Sequence, residues 1–363
     1  MIPYVEIKDK YSLKTIALVE PQECWFELSY QDVGECEIYC RASKENLEAL
    51  QKGRYVKLQN KKFIWIITAV RYSFAVGGAR MISATGYEAK WLLNKRCILT
   101  PKELTGTITD AVYSLVDQAL GTGASADRTI KDNNGNQKFM TFRNEIFSNV
   151  TGTQAPRGNL MEFVNSLLKQ YNCGSTVIYN NEMLIYRALQ GEDKTSYIIF
   201  SQSLDNLLTS ELLTDDSNKA TNALVVSKVE DVEYTKTHDL GYMGIDRTEI
   251  VINSNISTKY EDANGNEVET TPTSALYQGW LLEEGKTKLA EHITVEQANG
   301  QIDLLNSKYE FEKDFFLGDI VRIQDDYFKF FINTRITKYT FSQSESGYME
   351  EAEYESIKEV NNG

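Results

Sequence analysis

The sequence predicts an α+β chain that is mainly β, with one β-domain towards each end and an α+β module between them. Three observations carry this. Apolar and polar residues alternate with period two over long stretches of both ends. Aromatics make up 11% of the chain, with Tyr 21 and Phe 15 against Pro 5, a profile that suits pleated, half-buried surfaces. A segment near the start also recurs near the end.

The recurrence is between GRYVKLQNKKFIWIITAVRYSFAVGGARMISATGYE (53–88) and GDIVRIQDDYFKFFINTRITKYTFSQSESGYMEEAEYE (318–355). Gly53, Val56, Leu58, Gln59 and Phe63 share their spacing with Gly318, Val321, Ile323, Gln324 and Phe328. A two-residue insertion then aligns Ser73-Phe74 with Thr340-Phe341 and Tyr87-Glu88 with Tyr354-Glu355. Two unrelated hairpins would also share apolar positions, because the pleat forces alternation. The preferred reading is a duplicated β-barrel or sheet domain.

The elements follow in order. CWFELSY (24–30) and ECEIYC (35–40) alternate as strands around a Gln-Asp-Val-Gly turn. Ser43 caps a short helix, KENLEALQ, that ends before Gly53. Tyr55 to Leu58 and Phe63 to Tyr72 form a hairpin, and Gly77-Gly78 turns the chain into a further strand. A helix begins near Glu88. Thr109 or Asp110 caps the amphipathic helix AVYSLVDQAL, and Asn159 caps LMEFVNSLLKQY. Residues 121–158 read as a long polar connection. STVIY and EMLIYRA form a hairpin turning at Asn180-Asn181. From 196 onward the chain is mostly β, with one helix at roughly 279–291. The domains expected are 1–95, 96–195 and 196–363.

Composition narrows the function. The chain has 363 residues, with Asp+Glu 52 against Lys+Arg 38 and a net charge of −14. That balance argues against a stable nucleic-acid binder, which needs a basic stripe to displace counterions. His238 and His292 are the two histidines, little material for His catalysis or a His-rich metal site. Five cysteines without a C-x-x-C pair argue for free thiols. No run approaches the ~18 apolar residues of a membrane helix. The N-terminus lacks the apolar core of a signal peptide.

Catalytic patterns are weak. Neither histidine lies in H-E-x-x-H. The acidic doublets Asp215-Asp216, Glu283-Glu284, Asp325-Asp326 and Glu350-Glu351 read as solvated turns. Asp132-Asn133-Asn134-Gly135-Asn136 and Asp262-Ala263-Asn264-Gly265-Asn266 look like calcium loops, but Gly stands at position four instead of six. Hairpin tips needing φ > 0 are the better account.

Four segments then resemble, in order, the baseplate hub or tail-tip proteins of tailed phages and of phage-tail-like contractile bacteriocins. ATGYEAKWLLNKRCI resembles that family's "G-x-E-x-x-x-L-L-x-x-R" segment, and YIIFSQSLDNLL its "F-S-x-x-x-x-N-L". GKTKLAEH resembles its "G-x-x-x-L-A-E" helix, and DFFLGDIV its "D-x-x-L-G-D-x-V". The resemblance implies two tail-tube-like domains and a homotrimeric ring, in which six domains meet a six-fold tube. It implies a virion structural protein at the tail tip, made in the bacterial cytoplasm. The implied partners are the chain itself, a tail-tube protein, a spike or tail-tip protein and a tape-measure protein. No cofactor, metal, catalysis or membrane insertion is implied. The run Phe341 to Gly363 ends the sequence without a peptidase, lysozyme or fibre extension, so a wall enzyme or spike is expected on another chain. Candidate interface residues lie in the repeated hairpins: Val56, Leu58, Phe63, Trp65, Val321, Ile323, Phe328 and Phe330. The competing readings are a tail-associated wall hydrolase and a receptor-binding adhesin.

Overall fold

A computed structural model of the chain describes residues 4–74, 78–142, 146, 149–150, 152–263, 265–292, 295–302, 307–325, 327 and 330–356. The first part contains β1 Val5–Lys8, β2 Thr15–Val19, β3 Glu23–Ser29, β4 Glu35–Arg41, α1 Lys44–Ala49, β5 Tyr55–Leu58, β6 Trp65–Ser73 and β7 Met81–Glu88. A 3-10 helix, Ala89–Lys95, leads out of it. The middle part holds β8 Cys97–Ile98, β9 Lys102–Leu104, α2 Ile108–Leu120, β10 Phe139–Thr141, β11 Thr153–Ala155, β12 Gly158–Asn159, α3 Leu160–Gln170, β13 Gly174–Asn180 and β14 Met183–Leu189. Then follow β15 Ile199–Ser201, β16 Leu207–Asp215, β17 Asn222–Val229, β18 Val232–Asp239, β19 Glu249–Asn253, β20 Lys259–Glu261 and β21 Glu267–Glu269. The chain continues with α4 Ala275–Glu291, β22 Val295–Ile302, β23 Ile320–Asp325, β24 Phe330–Ser344 and β25 Gly347–Ser356. The fold is mainly β with few helices, as the sequence predicts.

Local chemistry sets several boundaries. Ser43 caps α1, accepting the Asn46 N–H at 3.1 Å. Asn159 caps α3, accepting the Met161 and Glu162 N–H groups. The cap of α2 is Thr107, not Thr109 or Asp110. Thr107 and Asp110 form a reciprocal capping box, while Thr109 accepts the distant Ile146 N–H at 2.9 Å. The β13–β14 turn is one residue later than expected. Asn180 pairs with Met183, so Asn181 and Glu182 take the positive φ values, 47° and 59°. Helix α4 starts at Ala275 instead of 279, because Ser274 caps it through the Tyr277 N–H and Tyr277, Trp280 and Leu281 are buried. Gly77, Asn264, Asp326 and Phe328 lie outside the described residues.

The largest sheet has 13 strands and joins both ends of the chain. Its path is β16-β22-β25-β24-β3-β4-β7-β6-β5-β1-β2, with β23 beside β24 and β15 beside β23. Within it the same order occurs twice: β3-β4-β7-β6-β5-β1, then β16-β22-β25-β24-β23-β15. The copies share backbone detail. Gly53 and Gly318 have φ 85° and 92°, and each N–H donates to a matching carbonyl, Ile67 or Ile336. Those isoleucines return bonds to Arg54 and Asp319. The ladder is irregular immediately afterwards in both, at Ile67/Ala69 and Ile336/Lys338. This register matches Gly86 to Tyr354, so more of the extra length sits between β23 and β24 than the sequence alignment places there. One core serves both copies, with Phe26, Ile38 and Trp65 in the same cluster as Phe200, Phe315, Tyr339 and Tyr354.

Two other units pack around this sheet. The middle part builds its own core from α2, α3, β13 and β14, joined by Ile64 and Ile66 of the first copy. Between β16 and β22 the chain leaves the sheet for β18-β17-β19, against which α4 packs. Gly285 permits that approach, since a Cβ there would stand 3.1 Å from Val225.

Candidate assembly interface

The join between the two copies is a strand seam. After Ile336, β24 leaves the lane of β23 and pairs antiparallel with β3, from Lys338↔Ser29 to Gln343↔Cys24. Alternation puts Phe26, Leu28, Tyr339 and Phe341 into the core. The other face carries Glu23 and Glu27 on β3, Glu35 and Glu37 on β4, and Glu351, Glu353 and Glu355 on β25. Lys338 stands among these acids, 3.4 Å from both Glu27 and Glu353. Burial pushes the Glu27 carboxyl up, the neighbouring Glu353 and Glu35 push it further, and Lys338 opposes them. The exposed face across the seam is therefore strongly acidic.

Below the sheet, side chains lock the parts together. Trp65 donates to the Glu27 carbonyl at 2.8 Å. Lys61 of the first copy lies 3.6 Å from Glu312 and 3.7 Å from Glu350 of the second. Glu350 is buried and accepts the hydroxyls of Tyr339 and Tyr348. It is a structural acceptor, not a solvated turn.

The interface candidates fall mostly inside. Val56, Leu58, Phe63, Trp65, Val321 and Ile323 are all buried in the chain's own core. Phe330 belongs to the β24 backbone, and Phe328 is not described. These residues shape the strands from behind. The edges that could meet another chain carry different residues, including Tyr72, Leu208 and Leu213, which are exposed.

The described residues contain no group of three His, Cys, Asp or Glu placed to hold a metal. Asp132 accepts the Asn134 and Asn136 N–H groups, and Asp262 accepts that of Asn266. Gly135 and Gly265 take φ 83° and 86°, which makes both loops tight turns. Burial and Lys286 push His238 down, and His292 ends α4 with Nδ1 3.2 Å from the Asn218 carbonyl. No described helix is long and apolar enough to cross a membrane.

The sequence matches the Siphovirus ReqiPepy6 Gp37-like protein family over residues 9–353. The chain belongs to this family. The expected kinship with phage proteins therefore holds at the level of the family. The fold is also that of a tail protein from Neisseria meningitidis MC58, at TM-score 0.55 and 13% identity, covering 98% of this chain and 96% of that one. The 43 kDa tail protein of prophage MuSo2 from Shewanella oneidensis matches at TM-score 0.53 and 12% identity, covering 97% and 98%. The E. coli c3393 protein, a type VI secretion component, matches at TM-score 0.46 and 11% identity, covering 99% of this chain and 76% of that one. No curated protein matches.

In this Gp37-like chain the resemblance motifs are folding devices. In DFFLGDIV, Gly318 fits against the Tyr30 ring, where a Cβ would come within 2.2 Å. Asp319 accepts the Glu192 and Phe316 N–H groups and pairs with Lys194 at 2.9 Å. In YIIFSQSLDNLL, Asn206 accepts the Ser201 N–H and donates to Ile199. In GYEAKWLLNKR, Gly86 passes close to the Ile66 carbonyl, and Glu88 and Lys90 form a buried pair at 3.5 Å. The first and last of these motifs act where two parts of the chain meet, and Asn206 closes a local turn.

Proposed function

We propose that three copies of this chain form a ring joining a tail tube to a spike or tail tip, in a phage or phage-tail-like particle. The observation that carries this is the duplicated strand order. Two equivalent copies per chain let three chains present six equivalent sheets around an axis, which suits a six-fold tube. The parts 1–95, 96–195 and 196–363 are the proposed domains. The ring's partners are further copies, the tube protein, the spike or tip, and a tape-measure protein.

The acidic sheet face supports a role as a passage. If that face lines the lumen, its carboxylates repel phosphate, and nucleic acid crosses without sticking. The role is structural and no bond is made or broken. Glu350 and Glu88, two buried carboxylates of the sheet, are held by tyrosines and a lysine in packing roles.

Native mass decides the reading. The purified chain, alone and mixed with its tube protein, should give a three-copy species or a ring on the tube. A strict single-chain species in both conditions would sink the proposal.

A further inference from the structure

A ring built this way needs two kinds of seam, one inside each chain and one between chains. The inner seam is β24 on β3. The repeat supplies an equivalent for each strand. Ile67 matches Ile336, so Ala69–Ser73 of β6 matches Lys338–Ser342 of β24. Phe26↔Cys36 corresponds to Leu212↔Ala298, so Glu211–Asp215 of β16 matches Trp25–Ser29 of β3.

Both equivalents have an open edge. Beyond Ile67, β6 pairs with β7, and β16 pairs with β22; neither has a second neighbour among the described residues. Exposed apolar side chains accompany these edges, with Tyr72 60% and Leu213 48% exposed. Long open edges of this kind invite another strand.

We infer that β16 of one chain adds antiparallel to β6 of the next, repeating the inner seam. The register follows: Ala69↔Asp215, Arg71↔Leu213 and Ser73↔Glu211. Charge agrees with it. Arg71 would stand diagonally between Glu211 and Asp215, within reach of a long side chain. The contact is head-to-tail, so it propagates beyond a dimer and makes a ring when the rotation closes. This seam rests on the ring reading above and adds which strands meet and in what register.

The test uses cysteine pairs. Cys97 is exposed and the other cysteines are buried, so Cys97→Ser gives a clean background. In it, Arg71→Cys with Leu213→Cys places two thiols directly opposite, at a separation a disulfide can span. Mild oxidation should give covalent two- and three-chain species on a denaturing gel, lost on reduction. Arg71→Cys with Glu211→Cys is diagonal and should lose that ladder. Ser73→Cys with Glu211→Cys reads the same register if the first pair disturbs assembly. A three-copy native mass with neither opposite pair cross-linking overturns the seam and leaves the ring. A single-copy native mass of the parent overturns the ring, and the seam with it.

Discussion

Tyr30 ties three parts of the molecule together. Its hydroxyl lies within 3.0 Å of the carbonyls of Asn172, Leu189 and Gln190, and its ring fills the space beside Gly318. The two repeat glycines therefore predict different costs. Gly53→Ala meets the flexible Lys10 side chain at 3.2 Å and should lose about 1 kcal/mol to the left-handed backbone. Gly318→Ala must also displace Tyr30, which adds roughly 1–3 kcal/mol. Urea unfolding should rank Gly318→Ala below Gly53→Ala, and equal midpoints would remove Tyr30 from the explanation. The Glu88–Lys90 pair makes a second prediction. Lys90 donates to the Ser29 and Ser175 carbonyls, while Glu88 accepts from Thr176, so the pair links sheet and middle part. Burial raises the Glu88 carboxyl and lowers the Lys90 ammonium, and each opposes the other's shift. Lys90→Met strands a buried carboxylate and should cost roughly 3–5 kcal/mol. Glu88, its folded pKa raised, then favours folding fully below its unfolded value, and that gain is lost as pH rises through the raised one. The deficit of Lys90→Met should thus be larger at about pH 8 than at about pH 5, measured by urea midpoint. A pH-independent deficit would mean that Glu88 is not the group left charged.

At the scale of elements, the capping box of α2 is the sharpest local device. Thr107→Ala removes the acceptor for the Asp110 N–H and should destabilise by about 1 kcal/mol in thermal or urea unfolding, with no effect on native mass. No loss would show that Asp110 alone holds the helix start. The sequence made α3 legible because Asn159 directly precedes the apolar period. It hid the start of α2, because Thr109 is also a good capping residue and its tertiary bond to Ile146 is invisible locally. Alternation located β3, β4, β6 and β7 well. It could not tell which sheet a strand joins, so β17–β19 read as more of the second β-domain, although they form a separate sheet. The seam left no local mark either, since Lys338 and Glu27 are 311 residues apart. The interface candidates lie inside the chain for a related reason. Period two identifies what is buried, and Val56 or Ile323 is buried by its own chain.

At the scale of the molecule, the net charge of −14 has a place in the fold. Much of it lies on one face of the large sheet, on β3, β4 and β25, drawn from both ends of the chain. Only pairing of β24 with β3 makes these acids neighbours, as the mutual effect of Glu353 and Glu27 records. Repulsion of nucleic acid should then be a property of this face and reversible by charge. Wild-type protein should show no binding to short duplex DNA by fluorescence anisotropy, even near 50 mM salt, where phosphate contacts are strong. The variant Glu35→Lys, Glu37→Lys, Glu351→Lys reverses charge on two adjoining regions of the face and should bind. Its affinity should fall linearly in log–log plots against salt, with a slope of about −0.9 per phosphate neutralised. Lysines placed instead at Glu45 and Glu48 on α1 and at Asp231 between β17 and β18, off the strands of the large sheet, change net charge equally and should produce much weaker binding. Equal binding by both triple variants would assign the effect to net charge and leave the face without a special role. Binding by the wild type would contradict the passage outright.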